Sequence, residues 1–271
     1  LNSVMAYNNL GINLMLTGEW TRAESMIKRA LEIALREDHV HVAGIYDSLG
    51  ELALLRGDLD NAEELLEKGV SFARERKHRS YTLQSMRNLA RLLQAQGRFA
   101  QAIERSNETI ELSAEMGDKH YANMAGLVLA ESHLSQGGVE ECEAALQTIE
   151  ATDPRSDFFV LGNIQRIRGL SALVDDDNEL AIHHFSRALT IFEAAEDLYH
   201  TGLMHSLLGV NLDATNASRA RKSLNTAGEI FKKLGVRSQL DIIEREIIRV
   251  DKLAVSVQTT PRRANSVVTH L

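Results

Sequence analysis

Apolar residues recur every three or four positions along most of the chain, with polar residues between them. This spacing places the apolar side chains on one face of a helix, so it predicts a succession of amphipathic helices. The first two predicted helices cover residues 5–16 and 21–36, and Gly18 lies in the short turn that separates them. In the second helix, Ala23 and Ile27 fall on the same face. The chain is therefore predicted to be all-α.

The helical pattern repeats at intervals of 39–40 residues, and small residues mark the repeat. Turn glycines occur at Gly18, Gly57, Gly97 and Gly137. Five residues after each of these glycines comes a small anchor residue: Ala23, Ala62, Ala102 and Cys142. The anchor series continues at the same interval with Ala181 and Ala220. Eleven or twelve residues before each anchor comes a second small residue, in a series that reads Gly11, Gly50, Ala90, Ala130, Gly169 and Gly209. We interpret these series as six copies of a two-helix unit.

Small residues allow two helices to cross closely, and one helical pair cannot bury its apolar face alone, so the units are expected to stack. The six helical pairs are predicted at about residues 3–42, 43–82, 83–122, 123–160, 161–200 and 201–237. A capping helix is predicted at 238–253, where Leu240, Ile243 and Ile247 recur with charges between them. The array then spans 1–253, and 254–271 is predicted to be a tail or linker.

This pattern resembles the tetratricopeptide repeat (TPR), whose motif combines Leu-Gly, a turn glycine, a bulky residue and two alanines. Unit one carries the motif as Leu10, Gly11, Gly18, Trp20, Ala23, Ile27 and Ala30. The long period is similar to that of bacterial signalling and transcriptional regulators, such as the maltose-regulon activator and the Rap phosphatases. The resemblance implies a right-handed α-α superhelix. In such arrays the first helix of each unit lines a concave groove that binds a peptide or a partner protein.

Composition agrees with an all-α fold and narrows the range of functions. Of the 271 residues 44% are apolar and only two are proline, whereas a β-sandwich of this length would need many turns. No apolar stretch reaches the roughly 18–20 residues that span a bilayer, so membrane insertion is not expected. The net charge of −8 disfavours binding to nucleic-acid phosphates.

The cysteine content and the N-terminus bear on the cellular context. A single cysteine, Cys142, excludes a disulfide framework. With no N-terminal signal segment, the expected location is the cytoplasm. The chain opens at Leu1 on a helical pattern without an initiator methionine, which suggests a piece of a longer protein.

The sequence contains no catalytic motif: a phosphate-binding glycine loop, a nucleophile elbow and a His-Glu-x-x-His site are all absent. We therefore expect no enzymatic activity, no cofactor and no metal. The ten histidines are scattered, which favours ordinary loop composition over a metal site. The run Asp175-Asp176-Asp177-Asn178 lacks the glycine and the final glutamate of a calcium loop. It falls where unit five should turn, so a solvated turn is favoured.

Candidate binding residues lie on the first helix of each unit, at fixed offsets from the small crossing residue. The two positions that precede it by three and two residues give Asn8, Asn9, Asp47, Ser48, Arg87 and Asn88, with His205 from the shifted sixth unit. The position directly after it gives Glu51, Arg91 and Glu131. Asparagine can pair with a peptide backbone, and Arg87 and Arg91 lie four residues apart, suited to an anionic group. The alternative is an ordinary solvated helix face.

Binding is therefore the favoured function. We expect a peptide, a helix or a partner domain in the groove, within a larger bacterial signalling or transcriptional regulator. A sensor for a small molecule or a signal peptide is the alternative. Chaperone-type carboxylate clamps are not expected, because their cationic positions are occupied here by Met5, Gly44, Gln84 and Met124. Self-association through residues 254–271 is a further expectation.

Overall fold

The computed structural model describes residues 3–212 and 216–259, with side chains described as far as residue 252. Within these ranges the chain forms thirteen α-helices and no strands. The helices are α1 (Ser3–Leu16), α2 (Trp20–Arg36), α3 (Val42–Arg56), α4 (Leu59–Glu75), α5 (Arg79–Ala95), α6 (Phe99–Met116), α7 (Lys119–Ser135), α8 (Val139–Glu150), α9 (Phe158–Val174), α10 (Asn178–Ala194), α11 (Leu198–Asn211), α12 (Ala217–Leu234) and α13 (Arg237–Thr259). The prediction of an all-α fold is confirmed.

The helices pack in sequential pairs, from α1 with α2 to α11 with α12, and α13 packs on α12. The odd-numbered helices α3, α5, α7 and α9 also contact one another in succession, which places them along one side of the array. This arrangement is the helical solenoid that the repeat predicts. It gives the odd-numbered helices a common surface.

The turns inside the units explain the spaced glycines. Gly18, Gly57, Gly97 and Gly137 all have φ between +73° and +83°, a region that side chains disfavour. In unit five Asp176 takes the turn position with φ +57°. Asp177 then caps α10, because its carboxylate accepts a hydrogen bond from the Leu180 N–H at 3.0 Å. The acidic run 175–178 thus forms a turn and a helix cap.

The small crossing residues allow the two helices of a unit to approach closely. A Cβ atom added at Gly50 would lie 2.6 Å from the side chain of Leu66 on the paired helix. Gly209 meets Leu224 at the same distance. The anchor residues on the second helices are all buried: Ala23, Ala62, Ala102, Cys142, Ala181 and Ala220. The small residues that mark the repeat in the sequence are therefore the residues at which the paired helices pack.

The two ends of the array meet. Trp20, at the start of α2, lies 6.0 Å from Tyr199 of α11 between ring centroids. A Cβ added at Gly18 would lie 2.7 Å from Leu198 and 2.9 Å from Leu234, which belong to the last unit. We call this contact between the first and the last unit the seam. The sequence identified Trp20 only as the bulky residue of the unit-one motif.

The last helix continues to Thr259, beyond the predicted end of the capping helix at residue 253. Its buried residues Ile243 and Val250 belong to the same apolar cluster as Phe231 of α12. Residues 260–271, the rest of the predicted tail, lie outside the described residues. The prediction of self-association through the tail lies there too.

Candidate functional site

The odd-numbered helices α3, α5, α7, α9 and α11 line a cavity of about 380 Å³, which we call the central cavity. Its apolar wall includes Leu55, Phe99, Met124, Leu127, Phe159 and Leu203. Its polar residues are Arg91, Gln94, Glu131, Ser135, Asn163, Arg166, Tyr199 and His200. Side chains from α3, α5, α7, α9 and α11 therefore converge on one space. The wall is as polar as it is apolar, and polar groups placed among apolar side chains can fix the orientation of a bound ligand.

Glu131 and Arg166 form the best-aligned ion pair on the cavity wall. Two guanidinium nitrogens of Arg166 donate to the two Glu131 oxygens, at 2.8 and 2.6 Å. The Nε of Arg166 donates to Asn163 Oδ1 at 2.9 Å, so all three of its nitrogens are engaged. Burial works to raise the pKa of Glu131, but the Arg166 charge outweighs it and that pKa is lowered. The pair joins α7 to α9 in its charged form.

A second charge cluster joins α3 to α5. Arg91 donates to the Glu51 carboxylate at 2.6 Å, and Arg87 lies 3.4 Å from the same oxygen. Burial opposes the charged form of Glu51, yet the two arginines lower its pKa to about 2. The anionic group that Arg87 and Arg91 hold in this structure is therefore Glu51. Of these three residues, Arg91 lines the central cavity.

Asp47 and Asn88 pair in the interior between the same two helices. Both are fully buried, and Asn88 Nδ2 donates to Asp47 Oδ2 at 3.0 Å. Burial raises the pKa of Asp47 to about 6, although the charge of Arg87 and the Asn88 hydrogen bond oppose the shift. The expectation that Asn88 faces the groove is wrong, because the preceding helix α3 covers it.

The other predicted groove residues lie away from the central cavity. Ser48 is buried and donates to a carbonyl of its own helix. On α1, Asn8 is buried and Asn9 is exposed. His205 packs toward α10, where its ring Nε2 lies 4.0 Å from Glu193. Of the ten candidates, only Arg91 and Glu131 line the cavity.

Sequence reasoning missed the other polar residues of the wall, among them Arg166, Tyr199 and His200. Arg166 precedes the small residue Gly169 by three positions, just as Arg87 precedes Ala90. The same offset applied to unit five would therefore have identified Arg166. Tyr199 and His200 carry no such signal. They line the cavity because α11 lies opposite α5 and α7. The contacts of the seam hold α11 in that position.

The described residues contain no group of three or more His, Cys, Asp or Glu side chains arranged to hold a metal ion. Cys142 is buried, and burial raises the pKa of its thiol to about 11. None of the described helices is both long and apolar enough to cross a membrane.

Three solved structures share this fold. A Rap protein complexed with competence and sporulation factor has a TM-score of 0.64 and 14% identity, over 93% of this chain and 76% of that one. Aspartyl phosphate phosphatase F from Bacillus subtilis has a TM-score of 0.62 and 11% identity, over 93% of this chain and 70% of the phosphatase. A STAND signal-transduction ATPase with a tetratricopeptide repeat sensor, from Pyrococcus horikoshii, has a TM-score of 0.56 and 16% identity. The match includes 93% of this chain but only 41% of the ATPase, so this chain spans less than half of the ATPase's length.

Identities this low show a shared fold alone. No curated protein sequence matches this chain. The sequence profile of the MalT-like TPR region matches residues 1–268, which is nearly the whole chain and includes most of the predicted tail. The chain therefore belongs to the MalT-like TPR region family.

Proposed function

We propose that this chain is the ligand-recognition domain of a larger bacterial signalling or transcriptional regulator. A peptide, or a short segment of a partner protein, binds in the central cavity. The domain acts in the cytoplasm by binding rather than by catalysis, and it contacts neither nucleic acid nor membrane. The convergence of five odd-numbered helices on one partly apolar cavity carries this proposal.

Two lines of support come from the cavity and the shared fold. The apolar side chains Leu127, Phe159 and Leu203 offer a surface for hydrophobic side chains, while Gln94 and Asn163 offer amide groups for a peptide backbone. A Rap protein of this fold has been solved in complex with competence and sporulation factor, which supports a binding role for the fold. The described STAND ATPase carries its tetratricopeptide repeats as a sensor.

The cavity volume favours a second candidate, a small-molecule ligand. About 380 Å³ lies within the range of roughly 300–1,000 Å³ that small-molecule pockets occupy. It also limits a peptide ligand to a short inserted segment. A peptide library and a metabolite library therefore need to be tested on the same variants.

A bulky substitution at the cavity rim separates cavity binding from binding elsewhere. Ala95 lines the cavity and is exposed, so Ala95→Phe fills part of the space without disturbing the interior. Ala144 is equally exposed on α8 and does not line the cavity, so Ala144→Phe is the matched control. Peptides selected from a displayed library on the wild-type protein should bind the control normally and lose about tenfold or more on Ala95→Phe.

The outcomes separate the candidates. Peptides that bind wild type and Ala95→Phe equally would remove the cavity from the proposal. A metabolite that raises the melting temperature of wild type and Ala144→Phe, but not of Ala95→Phe, would establish the small-molecule sensor instead, since a ligand stabilises the state that binds it.

A further inference from the structure

Arg91 has hydrogen-bonding capacity that the protein does not use. Its Nη1 donates to Glu51 at 2.6 Å and to Asn88 at 3.1 Å. No hydrogen bond from its Nε or Nη2 reaches another residue in the described part of the chain. Arg166, on the opposite wall, is engaged through all three nitrogens. Arg91 therefore presents an unused guanidinium edge to the cavity, whereas every nitrogen of Arg166 already donates to a protein group.

Tyr199 reaches the same cavity from the last unit. Burial raises the pKa of its phenol, so the hydroxyl keeps its proton and remains a donor. Its ring is held by Trp20 across the seam and by Phe231, at centroid distances of 6.0 and 5.8 Å. Helices α5 and α11 thus contribute one donor group each, and the contact between the two ends of the array brings both groups to the cavity.

The carboxylates around Arg91 are already engaged. Glu51 accepts from Arg91 itself, and Glu131 accepts from Arg166. Asp197 lies 2.7 Å from the Nδ1 of His200 and accepts from the His200 N–H at 3.0 Å. None of the three offers a free carboxylate to a cationic ligand. The spare donors of the wall are suited to a ligand that brings its own negative charge.

We infer that the ligand carries a carboxylate, which the Nε–Nη2 edge of Arg91 binds in bidentate fashion while the Tyr199 hydroxyl donates a further hydrogen bond. This inference rests on the proposed function of the cavity. The apolar part of the ligand packs on Leu127, Phe159 and Leu203. The planar fork of arginine matches the two oxygens of a carboxylate, and such charge-assisted pairs are the strongest hydrogen bonds in proteins.

A carboxylate can come from the C-terminus of a peptide or from an acidic side chain, and two matched probe pairs separate these sources. N-acetyl-leucine is compared with N-acetyl-leucinamide for the terminal group. N-acetyl-aspartyl-leucinamide is compared with N-acetyl-asparaginyl-leucinamide for the side chain. Affinities are measured by isothermal titration calorimetry on the complete chain. Fluorescence of Trp20, the single tryptophan, is an independent readout at the seam.

In at least one pair the acid should bind the wild-type protein about tenfold or more tightly than its amide. Tyr199→Phe keeps the ring that packs on Trp20 and removes only the hydroxyl, so it should lower this ratio about threefold or more. Arg91→Lys keeps a charge but loses the fork, and it should lower the ratio further. Tyr46→Phe, at a tyrosine of α3 that does not line the cavity, should leave the ratio unchanged.

Equal binding of acid and amide in both pairs would overturn the inference and leave cavity binding intact. An acid preference that survives in both Tyr199→Phe and Arg91→Lys would also overturn it. Binding of none of the four probes would overturn it as well. The display selection on Ala95→Phe then decides separately whether the cavity binds peptides.

Discussion

Removal of both arginines beside Glu51 tests how the inner surface is held together. In the variant Arg87→Met with Arg91→Met, Glu51 loses both of its cationic partners. Breaking a buried ion pair from one side costs about 3–5 kcal/mol, because the remaining charge is left uncompensated. The Glu51 side chain is 28% exposed, so water screens part of this cost. We therefore expect the free energy of unfolding at pH 7 to fall by about 2–3 kcal/mol.

A third substitution distinguishes a charge effect from lost packing. Adding Glu51→Gln to the double variant removes the uncompensated charge, so about half or more of the lost stability should return. Urea denaturation followed by circular dichroism at 222 nm gives the free energies. A loss below about 0.5 kcal/mol in the double variant, or no recovery in the triple variant, would refute this reasoning.

The pH dependence gives a second check on the same cluster. The pKa of Glu51 is lowered from 4.5 to about 2, so the native state favours its ionised form. Its contribution to stability is therefore complete above about pH 4.5 and is lost as the pH falls toward 2. In the double arginine variant this acid-side loss should shrink, because the native pKa of Glu51 is no longer lowered. An unchanged profile would contradict the assignment.

Three further variants test the crossing, the seam and the buried acid. Ala62→Leu should overpack the α3–α4 crossing and cost roughly 1–3 kcal/mol in urea unfolding, whereas Ala144→Leu on an exposed face should cost little. Gly18→Ala and Gly97→Ala share the strain of a positive φ, but only Gly18 has neighbours within 4 Å. Gly18→Ala should therefore lower the melting temperature more and shift Trp20 fluorescence; equal effects would argue against the seam. The Asp47 pKa is raised to about 6, so its ionisation lowers stability as the pH rises from about 4 to 6. Asp47→Asn should remove that decline, and a decline of the same size in the variant would disprove it.

The repeat fold could be predicted because its determinants are local in sequence. Each unit must place a small residue where its two helices cross, so Gly50 and Leu66 leave a signal within one unit. Stacking repeats that signal at a fixed interval. The turn at Asp176 shows the limit of the glycine pattern, since an aspartate there adopts the same left-handed backbone. The extension of α13 to Thr259 was not predicted, because the apolar periodicity ends near residue 253.

The candidate site was less predictable because it depends on contacts between units. The offset from the small residue gives the direction of a side chain on its own helix, and it placed Arg91 and Glu131 on the cavity. It does not say what the preceding helix covers, so it misplaced Asn88. It also cannot locate Tyr199. The position of α11 relative to α5 depends on the small rotation between each unit and the next, added up over the whole array. No single stretch of sequence determines that total rotation.

Opposite charges alternate around the inner surface. Acids lie on α3, arginines on α5, an acid on α7 and an arginine on α9. Glu51 and Arg91 join α3 to α5, and Glu131 and Arg166 join α7 to α9. The pairs hold adjacent helices in register while they cancel most of the field that a ligand would meet at long range. Ligand affinity should therefore come from apolar contact and from short hydrogen bonds to the spare donors. Long-range attraction between charges is screened by salt, whereas short-range contacts inside a cavity are screened much less. Peptide binding in the cavity should consequently depend only weakly on ionic strength, and a steep loss of affinity in salt would place the binding surface elsewhere.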